Sequence, residues 1–284
     1  VTVTSRASEA YTFGKALGLE DFDVSASATA LARIENDAWP AIFSGDDTEW
    51  EEAFVSDGGG MYVDGMIHSN SQITFHGSHI TVTELVEYRF NLNICGSHIN
   101  LEAGSEVGEV LDYPIDAQWS DFEPADYEVT GDWTINEPSY EFGHVHVTGD
   151  LTVKSANFVG SNGIVLVDGD AEFKGHGTCL QNVTVVAGGN VRFSGSCSEL
   201  TPYCDNLAVM SLDTDSDAIE FNGAGQTTNG TLFAPNGGIV FHGAKSHTQN
   251  GSIIADHIAM KGGHYTLTGT DDTGSTTVYV TLIQ

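Results

Sequence analysis

Asp213, Asp215 and Asp217 alternate with Thr214 and Ser216, and oxygen donors at that spacing open a calcium-binding loop. A full loop of that kind needs glycine at its sixth position and a bidentate glutamate at its twelfth. Here Ala218 holds the sixth position and no glutamate stands at the twelfth. The same aspartates form turns unaided, because a carboxylate can accept N–H bonds from its own following backbone. Gly269-Thr-Asp-Asp-Thr-Gly274 is a second oxygen-rich turn. Structural calcium is the one metal this chemistry offers, and no other cofactor is expected.

Histidines repeat as well. His79 and His98 occupy the same slot of a 19-residue duplication, His76-Gly-Ser-His-Ile-Thr-Val82 against Cys95-Gly-Ser-His-Ile-Asn-Leu101. His76 and His242 each precede a glycine, and His144 and His146 share one face of a strand. A metal centre needs three or four such groups converging, with a second layer of partners behind them. Stacking of outward side chains explains the same repeat without metal. The four cysteines show no C-x-x-C spacing, but Cys197 and Cys204 bracket a short loop and are expected to form a local disulfide in an oxidising, exported setting. The sequons at Asn182, Asn229 and Asn250 fit an exported chain too.

Enzyme chemistry finds little support. A polysaccharide lyase wants an acidic calcium cluster beside a basic residue, and Arg192 is the one arginine after Arg89. A glycoside hydrolase needs two facing carboxylates, a condition that 40 acids meet by accident. No nucleophile elbow, zinc-helix, P-loop or dinucleotide motif occurs, so no catalytic residue is assigned. With 40 Asp and Glu against 9 Lys and Arg, the net charge of −31 repels nucleic acid. That acidity fits either a saline exterior or displayed carboxylates that bind cations.

The elements that carry these residues follow from a repeat. Phe75, Phe173, Phe193, Phe221, Phe241 and Met260 are each followed two positions later by glycine, and Ile94 makes a looser seventh case. Phe173 to Phe193 is 20 residues, Phe221 to Phe241 is 20, and Phe241 to Met260 is 19. Alternating strand chemistry at that period marks an all-β parallel solenoid, or β-helix, with ~20-residue coils. The six residues should form an inward ladder, with glycine turning each corner at positive φ. Phe193 to Phe221 is 28 residues, so an eight-residue insertion falls in that coil, where Cys197 and Cys204 sit.

Residues 1–55 read as a small β-rich segment and an acidic connector, with Gly58-Gly-Gly60 marking a boundary. Residues 56–284 read as solenoid, broken by an irregular excursion at about 102–143 that holds Pro114, Pro124 and Pro138. The strand Thr277–Ile283 should cap the solenoid or pair at an edge. Paired with Val1–Thr4 of another copy, it would build a filament.

Two stretches carry a resemblance. Val1-Thr-Val-Thr through Val24-Ser-Ala-Ser-Ala-Thr-Ala resembles the tail of the TadE/TadG-like pilus-assembly module, whose N-terminal transmembrane helix this chain lacks. Ala234-Pro-Asn-Gly237 and Gly251-Ser-Ile-Ile-Ala255 resemble the solenoid region fused to such modules in exported bacterial surface proteins. The resemblance implies a right-handed β-helix at the cell surface, anchored or exported through a segment upstream. It further implies a structural or adhesive, pilus-associated role, with copies of itself or surface components as partners and no catalytic residues. The alternative is a β-helix that binds or cleaves carbohydrate, with surface glycans as ligand and Tyr62, Trp119 and Trp133 lining a groove.

Overall fold

The computed structural model describes residues 40–49, 53–122, 125–196, 198–204, 206–243 and 246–269, with the backbone of Thr29–Ile34 and Val278–Ile283. The chain divides into two compact units, residues 1–38 with 271–284, and residues 39–270. In the first unit, Thr29–Ile34 runs antiparallel to Val278–Ile283, with Thr29 opposite Ile283. One edge of the closing strand therefore finds a partner within its own chain. Val1–Thr4 lies outside the described residues.

The second unit is all-β, a parallel solenoid of about 10 turns with roughly 20-residue coils, as the period predicts. Each coil contributes strands to three faces. Face A holds residues 145–147, 165–167 and 185–187, and face B holds 151–153, 171–173 and 191–193. Face C holds 159–161, 179–181 and their successors at 227–229, 248–250 and 266–268.

Stacking order differs from chain order. Coils follow the chain from residue 127 to residue 268, and the next coil is then the earliest one. Ile42–Ser44 pairs with residues 253–255, Phe54–Ser56 with 258–260, and residues 61–64 with Tyr265–Thr268. Residues 67–82, 86–101 and Ser105–Val107 complete the other end. The solenoid thus begins at Ile42, within the residues 1–55 read from sequence as a separate segment and connector, and the Gly58–Gly60 boundary falls within its first coil. The irregular excursion is also shorter than expected. Ser105–Val107, Tyr127–Val129, Trp133–Ile135 and Ser139–Val147 are all solenoid strands, and residues 108–122 return along face A. Ten inter-strand steps of ~4.8 Å separate residue 106 from residue 128, about 48 Å, within the ~66 Å reach of twenty extended residues.

That return segment covers apolar side chains that point outward from face A. Phe43, Leu166, Val186, Met210, Phe233 and Ile254 are buried beneath Tyr113, Ile115, Ala117, Trp119 and Phe122. Polar clasps fix it. The Asn70 side-chain amide donates to the Leu111 carbonyl (2.8 Å), and the Leu111 N–H donates to Asn70 Oδ1 (2.8 Å), imitating one rung of a sheet. His68 supports Asn70, its Nε2 3.0 Å from Asn70 Oδ1 and its Nδ1 2.9 Å from Glu87. Tyr113 donates to Asp256, and its hydroxyl is held far above its ordinary pKa by burial and then by that carboxylate.

The interior ladder runs Ile135, Val153, Phe173, Phe193, Phe221, Phe241, Met260, Ser56, Phe75 and Ile94. Four phenylalanine rings stack at 4.8, 5.0 and 5.1 Å between centroids, with planes within 8° of parallel. That spacing is the coil spacing, so the backbone dictates an offset stack. Corner glycines serve a different purpose from the one expected. Gly77, Gly175, Gly195, Gly223 and Gly243 do not have positive φ, and Gly262 does. What they share is close stacking: a Cβ on any of these six would overlap a carbonyl oxygen of the coil beneath. Glycine is needed there because successive corners touch backbone to backbone.

Candidate contact face

Face C carries a repeated surface pattern. Two outward positions flank one inward position in each strand, a consequence of the two-residue period. In five successive coils the outward pairs are Thr227 and Asn229, Thr248 and Asn250, Thr266 and Thr268, Tyr62 and Asp64, and Thr81 and Thr83. Neighbouring coils place these groups ~4.8 Å apart, and the two members of a pair lie ~6.6 Å apart along the strand. Hydroxyls and amides thus form a two-dimensional lattice on a rigid backing.

Neighbours hold the side chains in place. Asn250 Nδ2 donates to Asn229 Oδ1 at 2.8 Å, and Thr83 Oγ1 donates to Asp64 Oδ1 at 3.0 Å. Among these ten positions Asp64 alone is charged, on a chain of net charge −31. The contrast with face B is plain. There Lys174 pairs with Glu172 at 2.8 Å, and Arg192 pairs with Glu220 and lies 3.6 Å from Asp217. A nearly uncharged lattice of short polar groups can meet a solid surface without stripping water from unpaired charges.

Beneath face C the interior is partly polar. Gln226, Thr228, His247 and Gln249 are buried, and Gln226 and Gln249 donate to the carbonyls of Gly195 and Gly230. His247 sits 4.6 Å from the Phe241 ring, and burial depresses its pKa to about 3. The folded chain keeps this imidazole neutral while the unfolded chain protonates it near 6.5. Its stabilising contribution is complete above the unfolded pKa and is lost as pH falls from about 6.5 towards 3. In urea titrations at pH 7 and pH 5, His247→Gln should lose less stability on acidification than the parent chain. Equal losses would contradict the assignment.

The residues singled out from sequence are dispersed. The Asp213 carboxylate accepts from the N–H groups of Thr214 (2.6 Å) and Asp215 (3.2 Å), while Asp217 faces Arg192. Among the described residues, no three His, Cys, Asp or Glu side chains converge as a metal site. His79 and His98 stack face to face at 4.7 Å, both in the left-handed backbone region. His76 turns instead to Asp57 (2.8 Å), and His146 to Asp168 (2.7 Å). Cys197 lies outside the described residues, so the expected bridge to Cys204 does too. Cys95 and Cys179 are free thiols. Trp119 packs on His146 over face A, Trp133 packs on Tyr140 and Phe142 at the end of the stack, and Tyr62 belongs to face C, so the three line no common groove.

Sequence reasoning passed over the face C lattice. Its signal was legible as Thr81-Val-Thr83, Thr227-Thr-Asn229, Thr248-Gln-Asn250 and Thr266-Leu-Thr268. It also passed over the Gly-Asp series at Asp132, Asp150 and Asp170, where the earlier carboxylate accepts the N–H of the next coil's aspartate at 3.1 and 2.9 Å. That series is a capping device between coils.

No protein-family profile and no curated protein matches this chain. Among solved structures, an ice-binding protein from an Antarctic bacterium of the Flavobacteriaceae matches at a TM-score of 0.31 and 9% identity, covering 84% of each chain. A likeness of that size is too slight to bear on function.

Proposed function

We propose that this chain is a structural, adhesive protein of an exported cell surface or pilus, and that face C is where it attaches. The supporting observation is the near-neutral lattice of Thr and Asn side chains on a rigid, otherwise strongly acidic solenoid. Such a lattice matches a repeating, hydrogen-bonding solid better than a single small molecule. The reading assigns the chain no catalysis and no metal. The TadE/TadG-like resemblance of residues 1–31 agrees with export and anchoring. Thr29–Ile34 occupies one edge of Val278–Ile283, and assembly into filaments would use the other.

Carbohydrate is the second reading, favoured by Tyr62, a residue 44% exposed in the middle of face C. An aromatic face beside hydroxyls and amides suits a sugar ring. Ice is another repeating, hydrogen-bonding surface, and it serves as the second solid in the test.

The test is adsorption of labelled full-length chain to insoluble polysaccharide particles and to growing ice crystals. Thr248→Lys with Thr266→Lys places two long cations in the lattice at outward sites. That double variant should retain about a tenth or less of the parent's adsorption with an unchanged thermal melt. Failure of the parent to adsorb to either solid, or equal adsorption by the variant, would overturn the proposal.

A further inference from the structure

The two ends of the solenoid are finished differently. At the end formed by residues 127–142, Trp133 packs on Tyr140 (5.0 Å between ring centroids) and on Phe142, and Tyr127 donates to the Phe142 carbonyl at 2.8 Å. The ladder residue there, Ile135, is 1% exposed. At the opposite end the ladder stops at Ile94, which is 50% exposed. Leu92–Ile94, Ser97–Leu101 and Ser105–Val107 each pair on one side only among the described residues. Val107, on the last of these strands, is 66% exposed. Unpaired parallel edges with apolar side chains are a template for one more strand.

Charge narrows the choice of occupant. Residues 84–112 contain six acids and a single Arg89, and Glu102 and Glu106 are exposed at the last two strands of this edge. A second copy would bring the same acids to the same place, and the chain as a whole has 9 Lys and Arg to offset 40 acids. We propose that this open end docks an extended, basic segment of another protein, which adds to Ser97–Leu101 and Ser105–Val107 as the next rung. Apolar residues of that segment would continue the ladder over Ile94 and Ile99, and its lysines or arginines would meet Glu102 and Glu106.

The probe is a short synthetic peptide alternating lysine and valine, offered to the full chain. Its control alternates lysine and proline, with the same charge but half of its N–H donors removed. The lysine–valine peptide should bind at least about tenfold more tightly and slow amide exchange across residues 92–107. Val107→Lys, at a site 66% exposed and so harmless to folding, should weaken it by a similar factor. Equal binding of both peptides would reduce the effect to charge attraction and overturn the proposal. So would amides in 92–107 that already resist exchange in the free chain, or dimerisation of the chain through this end.

Discussion

Phe221→Ala should destabilise the solenoid by about 3–5 kcal/mol, the cost of emptying a buried aromatic site. Phe221 is 1% exposed and is sandwiched between Phe193 at 5.0 Å and Phe241 at 5.1 Å, with the His247 ring at 5.5 Å. The coils above and below are held by continuous parallel ladders, so they cannot collapse into the gap. Most of the cavity penalty therefore persists. In a thermal melt the loss corresponds to a fall of roughly 6–20 °C for a domain of this size. A shift below about 2 °C would mean that the ring stack contributes little and that the backbone ladders alone hold the coils.

Gly195→Ala should be comparably damaging for a steric reason. A methyl group at Gly195 would overlap the carbonyl of Gly175 and press on the backbone N of His176. Both are main-chain atoms of the coil beneath, so relief requires prising two coils apart against their hydrogen bonds. We expect a loss of about 3 kcal/mol or more, at the upper end of overpacking effects. Gly104→Ala supplies the contrast. Gly104 has φ of +88° but open space around its Cβ position, so alanine there meets only backbone strain, costing ~1–2 kcal/mol. Denaturant midpoints of the two variants would separate the effects. If they fell together, close stacking would not be the reason that glycine occupies the corners.

The contrast between these glycines shows where sequence reading stops. The spacing of Phe173, Phe193, Phe221 and Phe241 identifies the coils, because burial on one face of a stacked strand imposes one large apolar residue per repeat. The glycine that follows is equally legible as a corner. Its cause is not, since a positive φ and a close backbone neighbour leave the same residue in the sequence. Asp213, Asp215 and Asp217 pose the same difficulty: a cation site and a capped turn use identical side chains, and Asp217 is drawn instead to Arg192.

By itself, then, the sequence determined the all-β character, the coil period and the inward ladder, each of which is a local property repeated along the chain. Tertiary structure decided the order of stacking. Nothing in Ile42–Ser44 or Phe54–Ser56 announces a partner some two hundred residues later, because a parallel edge of alternating apolar residues fits any coil of the same register. The return of residues 108–122 along face A makes that arrangement possible, and the outward Phe43, Met210 and Phe233 are apolar because this segment covers them. Face C was likewise invisible as a lattice until the coils were placed in order. Thr266 and Thr268 become neighbours of Tyr62 and Asp64, and through them of Thr81 and Thr83, only where the last coil of the chain lies against its first.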